Sequence, residues 1–190
     1  MTARSPAWKF AAVILALLAT QALTLHLMGQ PAIAAIGLRL WANDPLGPDN
    51  SQQLADWYSL SHIVHGLIFY GLTKLFFPRL PFAARLALAL GVEVCWEIAE
   101  NTPFVIGAYR RQALAAGYRG DSIVNSLSDS VMMMTGFTIA SRLPWWASIV
   151  LALLLEGVAA LVIRDGLVLN LLNFAVSWPA LEHWQAGYRH

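Results

Sequence analysis

Acids and imidazoles set in apolar, helix-length surroundings are the residues here with chemistry to offer, because ionisable groups in such segments are costly and mark functional sites. Residues 91–129 hold most of them. Glu93, Glu97 and Glu100 fall at i, i+4 and i+7, one stripe of a helix. Asp121, Asn125 and Asp129 follow at i, i+4 and i+8 and form a second stripe. Asn101 closes the first segment, and Arg110, Arg111 and Arg119 lie between the two. Upstream, His62 and His65 at i and i+3 share a helix face with Tyr58 and Ser61.

Several carboxylates in a low-dielectric pocket cannot all stay ionised without compensation. A divalent metal is one solution. Its ligands would come from His62, His65, Glu93, Glu97, Glu100, Asp121 and Asp129, a mixed imidazole–carboxylate set suited to Zn²⁺, Mn²⁺ or Fe²⁺. Such an ion lowers the pKa of water and makes a nucleophile for hydrolysis, with Glu97, Asp121 and His62 as the catalytic core. A hydrogen-bonded network that only fixes helix packing is the second solution. The third is an anion pocket, in which Arg110, Arg111 and Arg119, with Asn101 and Asn125, grip a phosphate-like head group. No HExxH, GxSxG or SxxK frame is present. Ser59, Ser61, Ser122 and Ser128 are therefore expected to bond back onto their own helices. The single cysteine, Cys95, is expected in the core.

The elements that must position these groups are membrane spans. Of the 190 residues 58% are hydrophobic and only 12% charged, with mean hydropathy +0.57. Soluble domains carry roughly 25% charged residues. A net charge of +1 without a basic stripe argues against nucleic acid as a partner. The apolar runs predict one all-α integral membrane domain over 1–190, a bundle of five or six transmembrane helices. The spans are expected at about 8–28, 57–77, 82–101, 121–142 and 146–163, with 166–181 as a tilted sixth helix, a re-entrant hairpin or a surface helix. Asn170, Asn173 and Ser177 share a face of that last segment. Ala32 to Trp41 is too short to span and would lie along the surface. Ala83, Ala87 and Gly91 form a small-residue stripe for close packing. Residues 102–120 read as a loop, Trp96 as a pocket wall, and His183 and His190 as surface groups.

Alternating spans bring one end of each helix to the same side. At 1.5 Å per residue, His62 then lies roughly 8 Å deep, Glu97 about 6 Å, Asp129 about 12 Å and Glu156 about 10 Å, with Asp121 at the boundary. The opposite side carries only flanking bases: Arg4, Lys9, Lys74, Arg79, Arg85 and Arg142. By the positive-inside rule those bases and the N-terminus are cytoplasmic, and the cavity opens outward.

The segments WYSLSHIVHG (57–66), WEIAENTP (96–103), GDSIVNSLSD (120–129) and Arg164-Asp165-Gly166…Asn170…Trp184-Gln185 together resemble a serial-numbered uncharacterised family of small multi-pass inner-membrane proteins of alphaproteobacteria. The resemblance covers nearly the whole chain and implies a bacterial inner-membrane location, without an activity or cofactor. A looser similarity is to VanZ-like proteins, through Glu97, Arg119, Asp121, Asn125 and Gly136, and it points to an envelope or lipid substrate. The leading expectation is a metal-assisted hydrolase or transferase acting in the lipid bilayer on a lipid-linked anionic substrate. A binder, a proton-linked permease and an assembly subunit are the alternatives.

Overall fold

In the computed structural model, residues 7–112, 114–115, 117–176 and 178–189 are described. Arg4, Ser177 and His190 lie outside them. The described residues form eight α-helices and no strand. These are α1 (Ala7–Leu27), α2 (Ser59–Phe76), α3 (Phe82–Glu100), α4 (Pro103–Tyr109), α5 (Ile123–Ala140), α6 (Trp145–Ile163), α7 (Leu167–Ala175) and α8 (Pro179–Ala186).

Local chemistry sets the boundaries. Helix α1 stops where Gly29 takes φ +88°. The Gly29 and Gln30 amides then turn back onto the carbonyls of His26 and Leu25, both at 3.0 Å, which closes a Schellman motif. Thr102 caps α4 by accepting from the Val105 amide, with Pro103 at the first helical position. Residues 102–120 are thus not all loop. Ser122 caps α5 by accepting from the Asn125 amide at 3.2 Å. Ala32 to Trp41 forms no helix, since Pro31 and Gly37 (φ +90°) break the run.

Helix α2 packs chiefly on α5, α1 lies against α3, and α6 covers α2. The tight crossing is between Gly66 and Gly136. A Cβ on Gly66 would sit 2.5 Å from the Phe137 amide nitrogen and overlap the Met133 carbonyl, and one on Gly136 would overlap the Ile63 carbonyl. The expected small-residue stripe does not play this part, because Gly91 faces open space.

The interior is divided. Ala89, Leu90, Val94, Met133 and Phe137 form an apolar core, sealed by Tyr70 and Phe82 edge-on to Phe137. The other half is polar: Gln21, Glu93, Glu97, Asn101, Asn125, Ser126 and Ser130 are 0–2% exposed. Outside, large apolar side chains stand free, including Leu15, Leu27, Leu153 and Leu161. Trp8–Leu27 and Trp145–Ile163 are long and apolar enough to cross a membrane. Cys95, expected inside, is exposed. The turn that points Glu93 and Glu97 inward points the residue between them away.

Past Arg164 the chain makes two short helices, α7 and α8, rather than one long one. The Gln185 amide donates to the Arg164 carbonyl at 3.0 Å and accepts from Asn173 at 2.9 Å, while Arg164 donates to the Trp184 carbonyl at 2.7 Å. The pair is therefore folded back on itself.

Candidate functional site

Three helices meet around His62. Its Nδ1 is 2.6 Å from Glu93 Oε1, so Nδ1 carries the proton given to that carboxylate and Nε2 is turned the other way. Nε2 faces Asp129 Oδ2 at 3.9 Å, and Glu97 Oε1 lies 3.4 Å from Nδ1. Asp129 and Glu97 are each pinned by one oxygen only. Ser59 donates to Asp129 Oδ1 at 2.9 Å, and Ser126 donates to Glu97 Oε2 at 2.6 Å. Ser126 is itself held by Gln21 Nε2 at 2.7 Å, and Ser130 donates to Gln21 Oε1 at 2.8 Å. Among the described residues the buried Glu97 Oε1 has no hydrogen-bond partner.

One ligand atom each from His62, Glu97 and Asp129 lie within 4.8 Å of one another, and so do those of His62, His65 and Glu93. The 3.9 Å gap from His62 to Asp129 is too long for a hydrogen bond. It is within the reach of two metal–ligand bonds of about 2.1 Å each. The donor set, one imidazole and two carboxylates with a carboxylate behind the imidazole, is that of a Zn²⁺, Mn²⁺ or Fe²⁺ site. His65 shares Glu93 with His62, at 3.1 Å, and stacks on Phe69.

The remaining expected residues form a neighbouring layer. Asp121 accepts from Asn101 Nδ2 at 2.7 Å and from the Tyr118 hydroxyl at 3.0 Å, and Tyr118 also reaches Glu100 at 3.3 Å. Burial, reinforced by Asp121 and Glu100, pushes the Tyr118 phenol well up, so it stays a proton donor. Asn125 donates to the Gln53 carbonyl at 2.9 Å and thus ties α5 to the segment between α1 and α2. His62, His65, Glu93, Glu100, Asp121 and Asp129 all line one cavity of about 1320 Å³, together with Trp96.

The arginines do not join the acids. Arg110 donates to the Tyr118 carbonyl at 2.6 Å and Arg111 to the Gly107 carbonyl at 3.1 Å, and both are exposed. Arg119 touches the cavity but is exposed too. Among the described residues no arginine is ion-paired with a site acid; Arg39 pairs instead with Asp49 at 3.6 Å. Tyr109, the last residue of α4, faces the cavity, while Arg110 and Arg111 just after it are exposed. The serines also depart from expectation. Ser59 and Ser122 bond across the fold, to Asp129 and to the Gln52 carbonyl, while threonines such as Thr73 take the back-bonding role.

Residues 25–187 match a family model described as "Protein of unknown function (DUF2585)". The chain belongs to that family. Its relatives include a UPF0314 protein of Sphingopyxis alaskensis, 44% identical over 95% of both chains. UPF0314 proteins of Rhizobium meliloti and Paracoccus denitrificans are 45% and 43% identical, over 97% and 96% of this chain and 93% of each relative. The expected alphaproteobacterial family is thus the right one. No solved structure matches.

Two further clusters in this DUF2585 chain give partners to residues that the sequence placed only singly. Asp56 accepts from the Ser51 and Tyr58 amides, both at 2.9 Å or less, and burial raises its pKa. Tyr58 donates to Asp165 at 2.8 Å, and burial raises the Asp165 carboxyl to about 6. Glu156 accepts from the Leu167 and Val168 amides at 3.3 and 3.0 Å, placing a carboxylate at the N-terminus of α7. The available signal was polar residues recurring at helical spacing in apolar runs, which Gln21 with Ser126 and Ser130 also shows.

Proposed function

We propose that the chain is a multi-pass inner-membrane protein that holds a divalent metal on His62, Glu97 and Asp129. With that metal it hydrolyses or transfers a group of a lipid-linked envelope substrate. The observation that carries this reading is the pinning pattern: Glu93, Ser126 and Ser59 each hold one polar atom of a ligand residue and leave another for an ion. Glu97 Oε1 supports it further: it has no hydrogen-bond partner among the described residues and only the His62 ring 3.4 Å away, and an unsatisfied buried carboxylate oxygen costs free energy that a cation would recover. When bound, the ion would lower the pKa of water to make a nucleophile. Glu93 fixes the His62 ring, and Tyr118 with Asp121 and Glu100 holds protons at the cavity wall.

A membrane setting is supported by the reversed distribution of polarity. Beside the apolar core, glutamates, glutamines, asparagines and serines are fully buried, while many leucines and tryptophans stand on the outside. Helices α2, α3 and α5, at 18–19 residues, have spanning length as well. With Lys74, Arg79 and Arg85 in the cytoplasm, the cavity opens to the periplasm.

Metal analysis of the purified protein tests the site. About one ion per chain is expected, lost in H62A, D129A and the near-isosteric E97Q. Protein that is metal-free as purified and takes up none of Zn²⁺, Mn²⁺ or Fe²⁺, or variants that retain the ion, refute it. Lipid analysis of a deletion strain then identifies the substrate.

A further inference from the structure

The cavity is not closed at the apolar end. Next to His65 and Glu93 its walls include Ile68 and Phe69 of α2 and, on either side of Glu93, Val92 and Trp96 of α3. Ile68 is 43% and Val92 50% exposed, so these side chains belong at once to the cavity and to the outer apolar face. The spacing makes this continuous: His65, Ile68 and Phe69 fall at i, i+3 and i+4 on α2, and Val92 and Trp96 at i and i+4 on α3. The space therefore runs from an acid–imidazole floor to a lateral opening lined by carbon, and at about 1320 Å³ it exceeds the roughly 300–1,000 Å³ of small-molecule sites.

We propose that the cleft between α2 and α3 is a lateral entry for a membrane lipid, whose hydrocarbon chain lies on Ile68, Phe69, Val92 and Trp96 and whose polar head reaches His62 and His65. The inference deepens the function proposed above and rests on its membrane setting. An amphiphile is the occupant because one continuous space carries both polarities in sequence. A wholly polar solute would leave the apolar half of the cleft unfilled, and a wholly apolar one would desolvate the acids without pairing them. Phe69 stacks 5.7 Å from the His65 ring, so the junction of chain and head group falls at that pair.

The test is photolabelling of the full-length protein in phosphatidylglycerol vesicles doped with a phosphatidylglycerol carrying a diazirine on its acyl chain, with labelled residues mapped by mass spectrometry. Wild type is expected to be labelled at Phe69 and Trp96 as well as on the outer faces of α1 and α6. Val92→Trp and Ile68→Trp narrow an opening at positions that already stand free. They should reduce labelling of Phe69 and Trp96 about tenfold, the affinity of burying roughly two methylenes. Leu153→Trp, on the outer face of α6, should leave it unchanged. Absence of label from Phe69 and Trp96 in wild type, or equal labelling in V92W and L153W, overturns the proposal. Two outcomes separate it from the reading on which it rests. Label missing from α1 and α6 too would remove the membrane setting and the cleft together. Cleft labelling in a protein that binds no metal would leave the lipid entry standing and remove the metal chemistry alone.

Discussion

Replacing Gly66 by alanine tests whether the α2–α5 crossing sets the geometry of the site. A Cβ there would lie 2.5 Å from the Phe137 nitrogen, whereas ordinary contact begins at 3.4 Å, so the helices must part by at least about 0.9 Å. His62 is one turn before Gly66 and moves with it. The 3.9 Å gap from His62 Nε2 to Asp129 Oδ2 would open towards about 4.8 Å, beyond the roughly 4.2 Å that two metal–ligand bonds can bridge. Overpacking of this kind costs about 1–3 kcal/mol, and the net loss of about 1 kcal/mol left after the helix-propensity gain lowers Tm by about 2–4 °C in a chain of this size. Alanine also gains helix propensity of about 1 kcal/mol over glycine. The control is therefore Gly71→Ala on the same helix, where a Cβ meets nothing within 4 Å and stability should rise. Thermal unfolding in detergent and metal content per chain give both readouts. A G66A protein that melts with or above G71A and keeps its metal would refute the reasoning.

Three further outcomes are expected. Asp165 has a folded pKa raised to about 6 from 3.8, so the folded state binds the extra proton. That contribution to stability is fully present below pH 4 and is lost as pH rises through 6, a swing of up to about 3 kcal/mol. Asp165→Asn should remove it, so the Tm difference between variant and wild type grows from pH 4.5 to 7.5; a difference independent of pH contradicts the burial argument. Glu156→Ala strips the carboxylate from the Leu167 and Val168 amides and should speed hydrogen exchange there about fivefold, the effect of losing a cap worth about 1 kcal/mol. Unchanged exchange at those amides would show that α7 does not depend on Glu156. Cys95, on the outer face of α3, should resist a charged thiosulfonate in intact membrane vesicles and react once the protein is unfolded in dodecyl sulfate. Fast reaction in vesicles would place that face in water.

The five long helices were legible because hydropathy and helical spacing are properties of one segment at a time. Glu93 and Glu97 on one stripe and Asn125 and Asp129 on another followed directly from a period of 3.6 residues. The arginines and serines were misread because their partners depend on where another segment passes. Ser59 has Asp129 across a crossing, and Arg110 turns to a carbonyl of its own loop. Periodicity fixes which residues share a face, but leaves free how that face is rotated against the next helix. Here the rotation is set by Gly66 and Gly136, each against the other helix's backbone. Gly66 is four residues from His62 and Gly136 seven from Asp129, one and two turns respectively, so the glycines that allow the close approach lie on the faces that carry the ligands. A larger residue at either glycine would hold imidazole and carboxylate too far apart to share an ion, whatever the remaining residues were. Close packing and candidate chemistry are therefore one constraint in this fold, written in the spacings His62–Gly66 and Asp129–Gly136.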